Sequence, residues 1–239
     1  AEGNPVIIIG KDLTVFAGET IESVEKKDKT TYSYNDECVT PRVTATASYI
    51  DENGQLGEEE CILLDSDSRI TFTLVKDFWY AVKEDVNVAE RIINSAGNDN
   101  PAHLILTDGN TLTVPKGISN QSGKSLIIYG QTENTGQLII DEVNSGDAGI
   151  GGDYDTDFDK YDHAGTLTVV GGNIRINTGG RGASIGGGSS RADFGGNGGN
   201  LIVYGGTIEA ASSGEGAAIG GGSCGNPVYG GSGCRMTVY

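Results

Sequence analysis

The chain has 239 residues and a formal net charge of −17 at pH 7, with 36% hydrophobic and 7% aromatic residues. This length allows one or two domains with a sizeable core. The negative charge disfavours binding to nucleic acid and to anionic membranes, and it favours cations such as Ca²⁺. No run of about 18 apolar residues occurs, so we expect no transmembrane segment.

Residues 1–77 are predicted to form a small N-terminal β region or cap. Segments such as Val43–Tyr49 and Ile70–Val75 match the two-residue period of strands, and no stretch shows a convincing helical period. Asn53-Gly54 is the strongest turn signal in the chain and predicts a hairpin. We expect this region to cover the first coil of the repeats that follow, because open sheet edges expose unpaired backbone groups.

A repeat of about 34 residues dominates residues 78–239. The motif Ala148–Gly152 returns at Ala183–Gly187 and Ala217–Gly221, so its isoleucines lie 35 and then 34 residues apart. A second motif with the consensus Leu-x-Val-x-Gly-Gly recurs in step with the first. Of the 39 glycines, 28 lie after residue 145. Self-similarity at such a period indicates stacked repeats.

The predicted fold is all-β, a right-handed parallel β-helix with a small N-terminal β cap. Each repeat offers three short strands with glycine pairs at the corners, where positive φ is needed. One inward ladder is predicted from Ile150, Ile185 and Ile219, and ladders of like residues bury each coil against its neighbours. A second ladder is predicted from Leu104, Leu126, Leu167, Leu201 and Met236. A β-sandwich is the alternative, but it does not explain a period held over three copies.

Inserted loops leave after each Ile-Gly-Gly and return before the next strand. They span residues 153–165, 189–200 and 223–234. We expect them to project on one side and form one continuous surface, which in repeat proteins is often the binding face. The chain starts without a methionine and stops in mid-repeat, so we expect that a leader was removed and that the natural chain continues.

The first inserted loop is strongly acidic. Its carboxylates belong to Asp153, Asp155, Asp157, Asp159 and Asp162. Ca²⁺ takes about six to eight oxygen ligands, and alternate aspartates in a turn can supply them. The loop lacks the glycine and the glutamate that an EF-hand loop requires. Two interpretations are therefore open, a Ca²⁺ site and a solvated acidic loop.

Aromatic residues in or beside the inserted loops are candidates for carbohydrate binding. Outward rings with polar neighbours can stack on a sugar and bind its hydroxyls. The candidates are Tyr154, Tyr161, Phe194, Tyr204 and Tyr229. In the alternative interpretation, Phe158 and Phe194 fold back and anchor their own loops as hydrophobic pegs.

The cysteines lack the spacing of a zinc site. They are Cys38, Cys61, Cys224 and Cys234. Two disulfides, Cys38–Cys61 and Cys224–Cys234, would suit an extracellular protein, and four reduced thiols are the alternative.

No catalytic motif emerges from the sequence. His103 and His163 have no serine or cysteine nucleophile arranged with them, and we expect both to be structural. A pectate-lyase-like enzyme would need Ca²⁺ and a basic residue. The basic residues near the acidic loop are Lys160, Arg175, Arg181 and Arg191, for which exposed solubilising charges are the simpler interpretation.

Several segments resemble the glycine-rich surface proteins of gut bacteria, in which stretches of the type GAGIGGG and VTIxGGxVTA repeat many times. The matching segments are 182–188, 195–210 and 216–222, and 78–82, 104–114 and 125–131 resemble the entry coils of such repeats. The resemblance covers about residues 78–239. It implies a parallel β-helix, secretion and an adhesin-like surface role, and it supplies no catalytic residues.

The predicted function is that of a non-enzymatic bacterial protein, secreted or on the cell surface, acting in adhesion or as a scaffold. Its contact face would lie on the inserted loops, and its partner would be a host or bacterial surface glycan or protein. The alternatives are a Ca²⁺-assisted carbohydrate-binding protein and, third, a pectate-lyase-like polysaccharide lyase.

Overall fold

The computed structural model describes residues 44–65, 73–76, 78–143, 146–154, 163–190, 194–224 and 229–239, together with the backbone of five short strands before residue 44. Every regular element in these residues is a β-strand. The all-β class is therefore confirmed for this part of the chain.

The strands before residue 44 form two small antiparallel sheets. The first contains β1 (Ile7–Ile9) and β2 (Thr14–Phe16). The second contains β3 (Val24–Lys26), β4 (Tyr32–Tyr34) and β5 (Glu37–Val39). They are followed by β6 (Thr44–Ile50) and β7 (Leu56–Leu64), which pair antiparallel as a hairpin.

The turn of this hairpin lies at Asn53-Gly54, as predicted. Gly54 has a φ of +76°. The Asp51 carboxylate accepts hydrogen bonds from the backbone N–H of Asn53 at 2.9 Å and of Gln55 at 2.7 Å. A glycine that tolerates positive φ and an aspartate that binds the backbone ahead of it together close the turn.

From β6 onward the strands are distributed over three sheets. Sheet I contains β6, β7, β9 (Trp79–Val82), β12 (Ala102–Leu106), β15 (Ser125–Gly130), β18 (Thr166–Val169), β21 (Asn200–Val203) and β24 (Arg235–Val238). Sheet II contains β10 (Val86–Asn87), β13 (Thr111–Thr113), β16 (Gln137–Ile140), β19 (Asn173–Thr178) and β22 (Thr207–Ser212). Sheet III contains β8 (Thr73–Leu74), β11 (Ile92–Asn94), β14 (Ile118–Ser119), β17 (Ile150–Gly151), β20 (Ile185–Gly186) and β23 (Ile219–Gly220).

The chain visits sheets I, II and III in turn and then returns to sheet I, and apart from the β6–β7 hairpin all pairs within the three sheets are parallel. This order is compatible with a β-helix-like fold. The ladder of sheet I crosses the predicted boundary at residue 77, because Cys61–Leu64 of β7 pairs in parallel with β9.

The isoleucine ladder is confirmed and extends further than predicted. Ile150 pairs with Ile185, and Ile185 pairs with Ile219. On the other side Ile150 pairs with Ile118, which pairs with Ile92. All of these side chains are buried except Ile219 in the last coil, which is 38% exposed. The spacing of the repeat is thus the length of chain needed to bring one isoleucine onto the next.

The predicted leucine ladder is wrong at one position, Leu104. Leu126 lies in one row with Leu167, Leu201 and Met236, but its partner in β12 is Ala102. Leu104 pairs with Ile128 instead. Because side chains alternate along a strand, a shift of two residues keeps Leu104 on the inner face and moves it one row along.

Glycines after the isoleucines allow the coils to stack. Gly151, Gly186 and Gly220 have φ of +145°, +138° and +149°. A Cβ on Gly151 would lie 1.9 Å from the carbonyl oxygen of Gly186, and a Cβ on Gly186 would lie 1.8 Å from that of Gly220. Both the backbone conformation and the close approach of the next coil therefore require glycine here.

The β6–β7 hairpin covers part of the outer face of sheet I. Tyr49 of β6 packs against Trp79 and Tyr129, with ring centroids 4.6 Å and 4.9 Å apart. Gln131 Nε2 donates a hydrogen bond to the backbone carbonyl of Ser48 at 2.9 Å. This creates a second apolar cluster outside the coil, centred on Cys61, Ala81, Ile105, Tyr129 and Val170.

Candidate functional site

The carboxylate of Asp153, at the start of the acidic loop, is held by three side chains. Arg91 Nε donates to Oδ1 at 2.8 Å. Ser119 Oγ and Gln121 Nε2 donate to Oδ2 at 2.8 Å and 3.1 Å. Asp153 was predicted as a Ca²⁺ ligand, and in the structure it joins the first loop to earlier coils.

Arg91 binds backbone carbonyls of two coils in addition to Asp153. Its Nη1 donates to the carbonyls of Lys116 and Ala148 at 2.7 Å and 2.8 Å. The Arg91 side chain is 12% exposed. A guanidinium suits this position because its five donors spread in one plane. Arg91 was not among the residues predicted from the sequence, where its place directly before the inward Ile92 was the only available signal.

The other aspartates of the predicted metal site lie outside the described residues, as do Phe158 and Tyr161. These aspartates are Asp155, Asp157, Asp159 and Asp162. Among the described residues no group of three or more His, Cys, Asp or Glu side chains could hold a metal ion. The predicted Ca²⁺ site therefore stays a prediction, with Asp153 the one described member of its set.

The second and third inserted loops run side by side. Ser190 forms a parallel bridge with Cys224, and Phe194 forms one with Tyr229. The backbone N–H of Gly195 donates to the carbonyl of Tyr229 at 3.1 Å. The described parts of these loops therefore stack in register, as the strands of the coil do, and form a continuous surface.

Phe194 and Tyr229 form an exposed aromatic pair on this surface. Their ring centroids are 5.1 Å apart and the ring planes differ by 12°. Phe194 is 45% exposed and Tyr229 is 59% exposed. Phe194 therefore does not fold back into the core as a peg. Two residues that the sequence placed in separate loops are brought together into one stacked aromatic pair.

The other two described carbohydrate-binding candidates lie elsewhere. The ring of Tyr154 packs over Gly146, where an added Cβ would lie 2.4 Å from Tyr154 Cγ. Tyr204 directly follows β21 in sheet I and stacks on Tyr239, with centroids 4.6 Å apart and planes 4° apart. The four described members of the predicted set therefore do not form a single site, and among these four only Phe194 and Tyr229 stack on each other.

Both histidines take part in packing or backbone hydrogen bonds. His163 Nδ1 accepts a hydrogen bond from the backbone N–H of Asn197 at 2.9 Å, which ties the first loop to the second. His103 stacks on Trp79 with centroids 4.1 Å apart, and its Nδ1 lies 3.1 Å from the Tyr129 hydroxyl. These contacts give each histidine a structural role.

Among the described residues, Cys61, Cys224 and Cys234 form no disulfide bond. Cys61 is buried in the outer cluster, and this burial raises the pKa of its thiol to about 11. Burial also raises the pKa of Cys234. The side chain of Cys38 lies outside the described residues. The two disulfides remain predictions for the protein under oxidising conditions.

The basic residues considered for lyase chemistry are dispersed. Arg181 pairs with Glu215 at 3.3 Å on the surface. Arg175 points outward from β19 in sheet II, whereas the acidic loop leaves the coil after β17 in sheet III. Lys160 and Arg191 lie outside the described residues.

Comparisons with protein-family models, curated proteins and solved structures gave no match. In the described part of the chain no helix is long and apolar enough to cross a membrane. The described residues form an all-β repeat structure with parallel sheets and stacked loops.

Proposed function

We propose that this chain is a non-enzymatic bacterial protein, secreted or on the cell surface, which acts in adhesion or as a scaffold. Its coil is a right-handed parallel β-helix of the kind found in the glycine-rich surface proteins it resembles. Its partner is a host or bacterial surface glycan or protein. The inserted loops 153–165, 189–200 and 223–234 provide the contact face.

The pair of Phe194 and Tyr229 carries this proposal. Large aromatic rings that remain exposed side by side are typical of contact surfaces, where they contribute most of the binding free energy. Backbone hydrogen bonds between the two loops hold the pair in register before any partner arrives. A preorganised contact loses little conformational entropy on binding.

Carbohydrate binding is the second candidate, and the geometry of the same pair favours it. The two rings are stacked nearly parallel, at 12° and with centroids 5.1 Å apart, so each covers one face of the other and a partner meets the exposed remainder of both rings. Such a surface suits the apolar face of a sugar, while neighbouring polar groups bind its hydroxyls. Ca²⁺ assistance would come from the acidic loop, whose carboxylates are Asp153, Asp155, Asp157, Asp159 and Asp162.

The contact face on the inserted loops, or loop face, is tested with the double variant Phe194→Ala and Tyr229→Ala. Its binding to a glycan array and to fixed epithelial and bacterial cells is compared with that of the wild-type protein. The stacked pair Tyr204 and Tyr239 provides the control, because it is also aromatic and lies outside the loops. Ca²⁺ is tested separately by calorimetry on chelator-treated protein. Absence of both heat and a shift in melting temperature would remove the ion from the proposal.

A further inference from the structure

An open cavity of about 360 Å³ lies on the outer face of sheet II. It is lined by Gln137, Asn173, Ile174, Arg175, Thr207 and Glu209. These residues belong to β16, β19 and β22, and none of them lies in an inserted loop. The cavity is therefore separate from the proposed contact face and does not depend on it.

The polar residues that line this cavity, which we call the sheet II groove, belong to two rows of paired residues that run across the sheet. In the first row Gln137 pairs with Asn173 and Asn173 pairs with Thr207. In the second row Ile139 and Glu209 flank Arg175. Neighbouring strands are about 4.8 Å apart. The parallel register thus repeats polar groups at a fixed spacing along the axis of the coil.

Most of these polar side chains have no partner among the residues that the structure describes. Within the described residues the side chains of Gln137, Arg175, Thr207 and Glu209 form no hydrogen bond or ion pair. Arg175 and Glu209 are direct neighbours across two strands, yet they do not pair. By contrast, Arg91 and Arg181 both have carboxylate partners. The groove therefore presents unused donors and acceptors side by side.

Asn173 also lines the sheet II groove, and its side chain is held in place. Its Nδ2 donates a hydrogen bond to the backbone carbonyl of Asn134 at 2.9 Å, which fixes the orientation of the amide. A fixed amide, a guanidinium and a carboxylate together supply donors and acceptors for the hydroxyls of a sugar.

We propose that the sheet II groove binds a neutral oligosaccharide that lies across the strands. Cavities of about 300 Å³ and more are the usual size for small ligands. A neutral ligand is favoured over an anionic one because Glu209 lines the groove and the chain has a net charge of −17.

The test is calorimetry of the full chain with neutral oligosaccharides of about four to six sugar units, built from glucose, xylose, mannose or galactose, and with a matched oligouronate. At least one neutral oligosaccharide binds the wild-type protein. Arg175→Ala weakens that binding by about tenfold or more, which corresponds to about 1.4 kcal/mol. Arg235→Ala, an exposed arginine in sheet I, leaves the affinity unchanged.

Two further variants make the result decisive. Thr207→Trp fills the groove without removing a charge, and it abolishes binding if the ligand lies there. The double variant Phe194→Ala with Tyr229→Ala keeps the affinity, because those rings belong to the loop face. The proposal is overturned if no neutral oligosaccharide binds, if the oligouronate binds more tightly, or if both groove variants bind normally while circular dichroism shows them folded.

Discussion

Arg91 Nε lies 2.8 Å from Asp153 Oδ1, although 62 positions separate the two residues in the chain. This ion pair, with the carbonyls that Arg91 also binds, fixes the point where the first inserted loop leaves the coil. The acidic loop therefore begins from an anchored residue.

Replacing Arg91 by alanine is expected to destabilise the protein by about 2–3 kcal/mol, because hydrogen bonds to a charged group are lost and Asp153 keeps an uncompensated charge. The control is Lys116→Ala, which removes the exposed ion pair with Glu90 and should cost less than about 1 kcal/mol. Urea unfolding of both variants measures the difference. Equal losses would show that Arg91 does not anchor the loop.

Gly186→Ala is expected to be far more damaging than Gly220→Ala. Both glycines have positive φ, so each variant carries a similar backbone cost of about 1–3 kcal/mol. Only at Gly186 does the new Cβ meet the backbone of another coil, whereas at Gly220 the nearest atom is the Ala217 Cβ at 3.2 Å. Overpacking should add about 1–3 kcal/mol at Gly186.

Thermal unfolding of the two glycine variants checks this stacking. The midpoint for Gly186→Ala should lie clearly below that for Gly220→Ala. If the two midpoints coincide, the close approach of successive coils at these glycines is wrong.

The buried thiol of Cys61 predicts a loss of stability at alkaline pH. Burial raises its pKa from 9.0 to about 11, so the folded state keeps a proton that the unfolded state releases. The Cys61 thiol therefore contributes fully to the free energy of unfolding below pH 9, and this contribution is lost as the pH rises from about 9 to about 11. Burial raises the pKa of Tyr129 in the same cluster, which adds to the loss at higher pH.

Unfolding of the reduced protein at several pH values between about 8 and 11 tests this effect. Cys61→Ala removes one titrating group and should flatten the fall in stability across this interval. Tyr129→Phe removes the other and should flatten it at the alkaline end. Identical slopes in Cys61→Ala and wild-type protein would contradict the burial of this thiol.

The repeat could be predicted from the sequence because each glycine and isoleucine of the motif is required by the backbone and the packing at its own position. Ile150, Ile185 and Ile219 share one role in one short motif, and only glycine fits the backbone after them. The Asn53-Gly54 turn was predictable for the same reason. Leu104 was misplaced because a two-residue shift leaves the alternation of the strand unchanged.

The contacts between distant coils could not be predicted. Nothing near Arg91 in the sequence indicates that Asp153 will reach it, since the pairing depends on how three coils stack. The pairing of Phe194 with Tyr229 depends in the same way on the register of two irregular loops. The open groove around Arg175 requires the parallel order of β16, β19 and β22, which only the folded chain provides.

The most direct test of the proposed function compares two aromatic pairs in one binding measurement. Surface plasmon resonance would use the best glycan or cell-surface ligand that binds the wild-type protein and the Arg175→Ala variant equally well, so that the sheet II groove does not contribute. Phe194→Ala with Tyr229→Ala should weaken binding by about tenfold or more, whereas Tyr204→Ala with Tyr239→Ala should leave it within about twofold. Equal affinities for the wild-type protein and the Phe194 and Tyr229 variant would contradict the loop face as the contact surface.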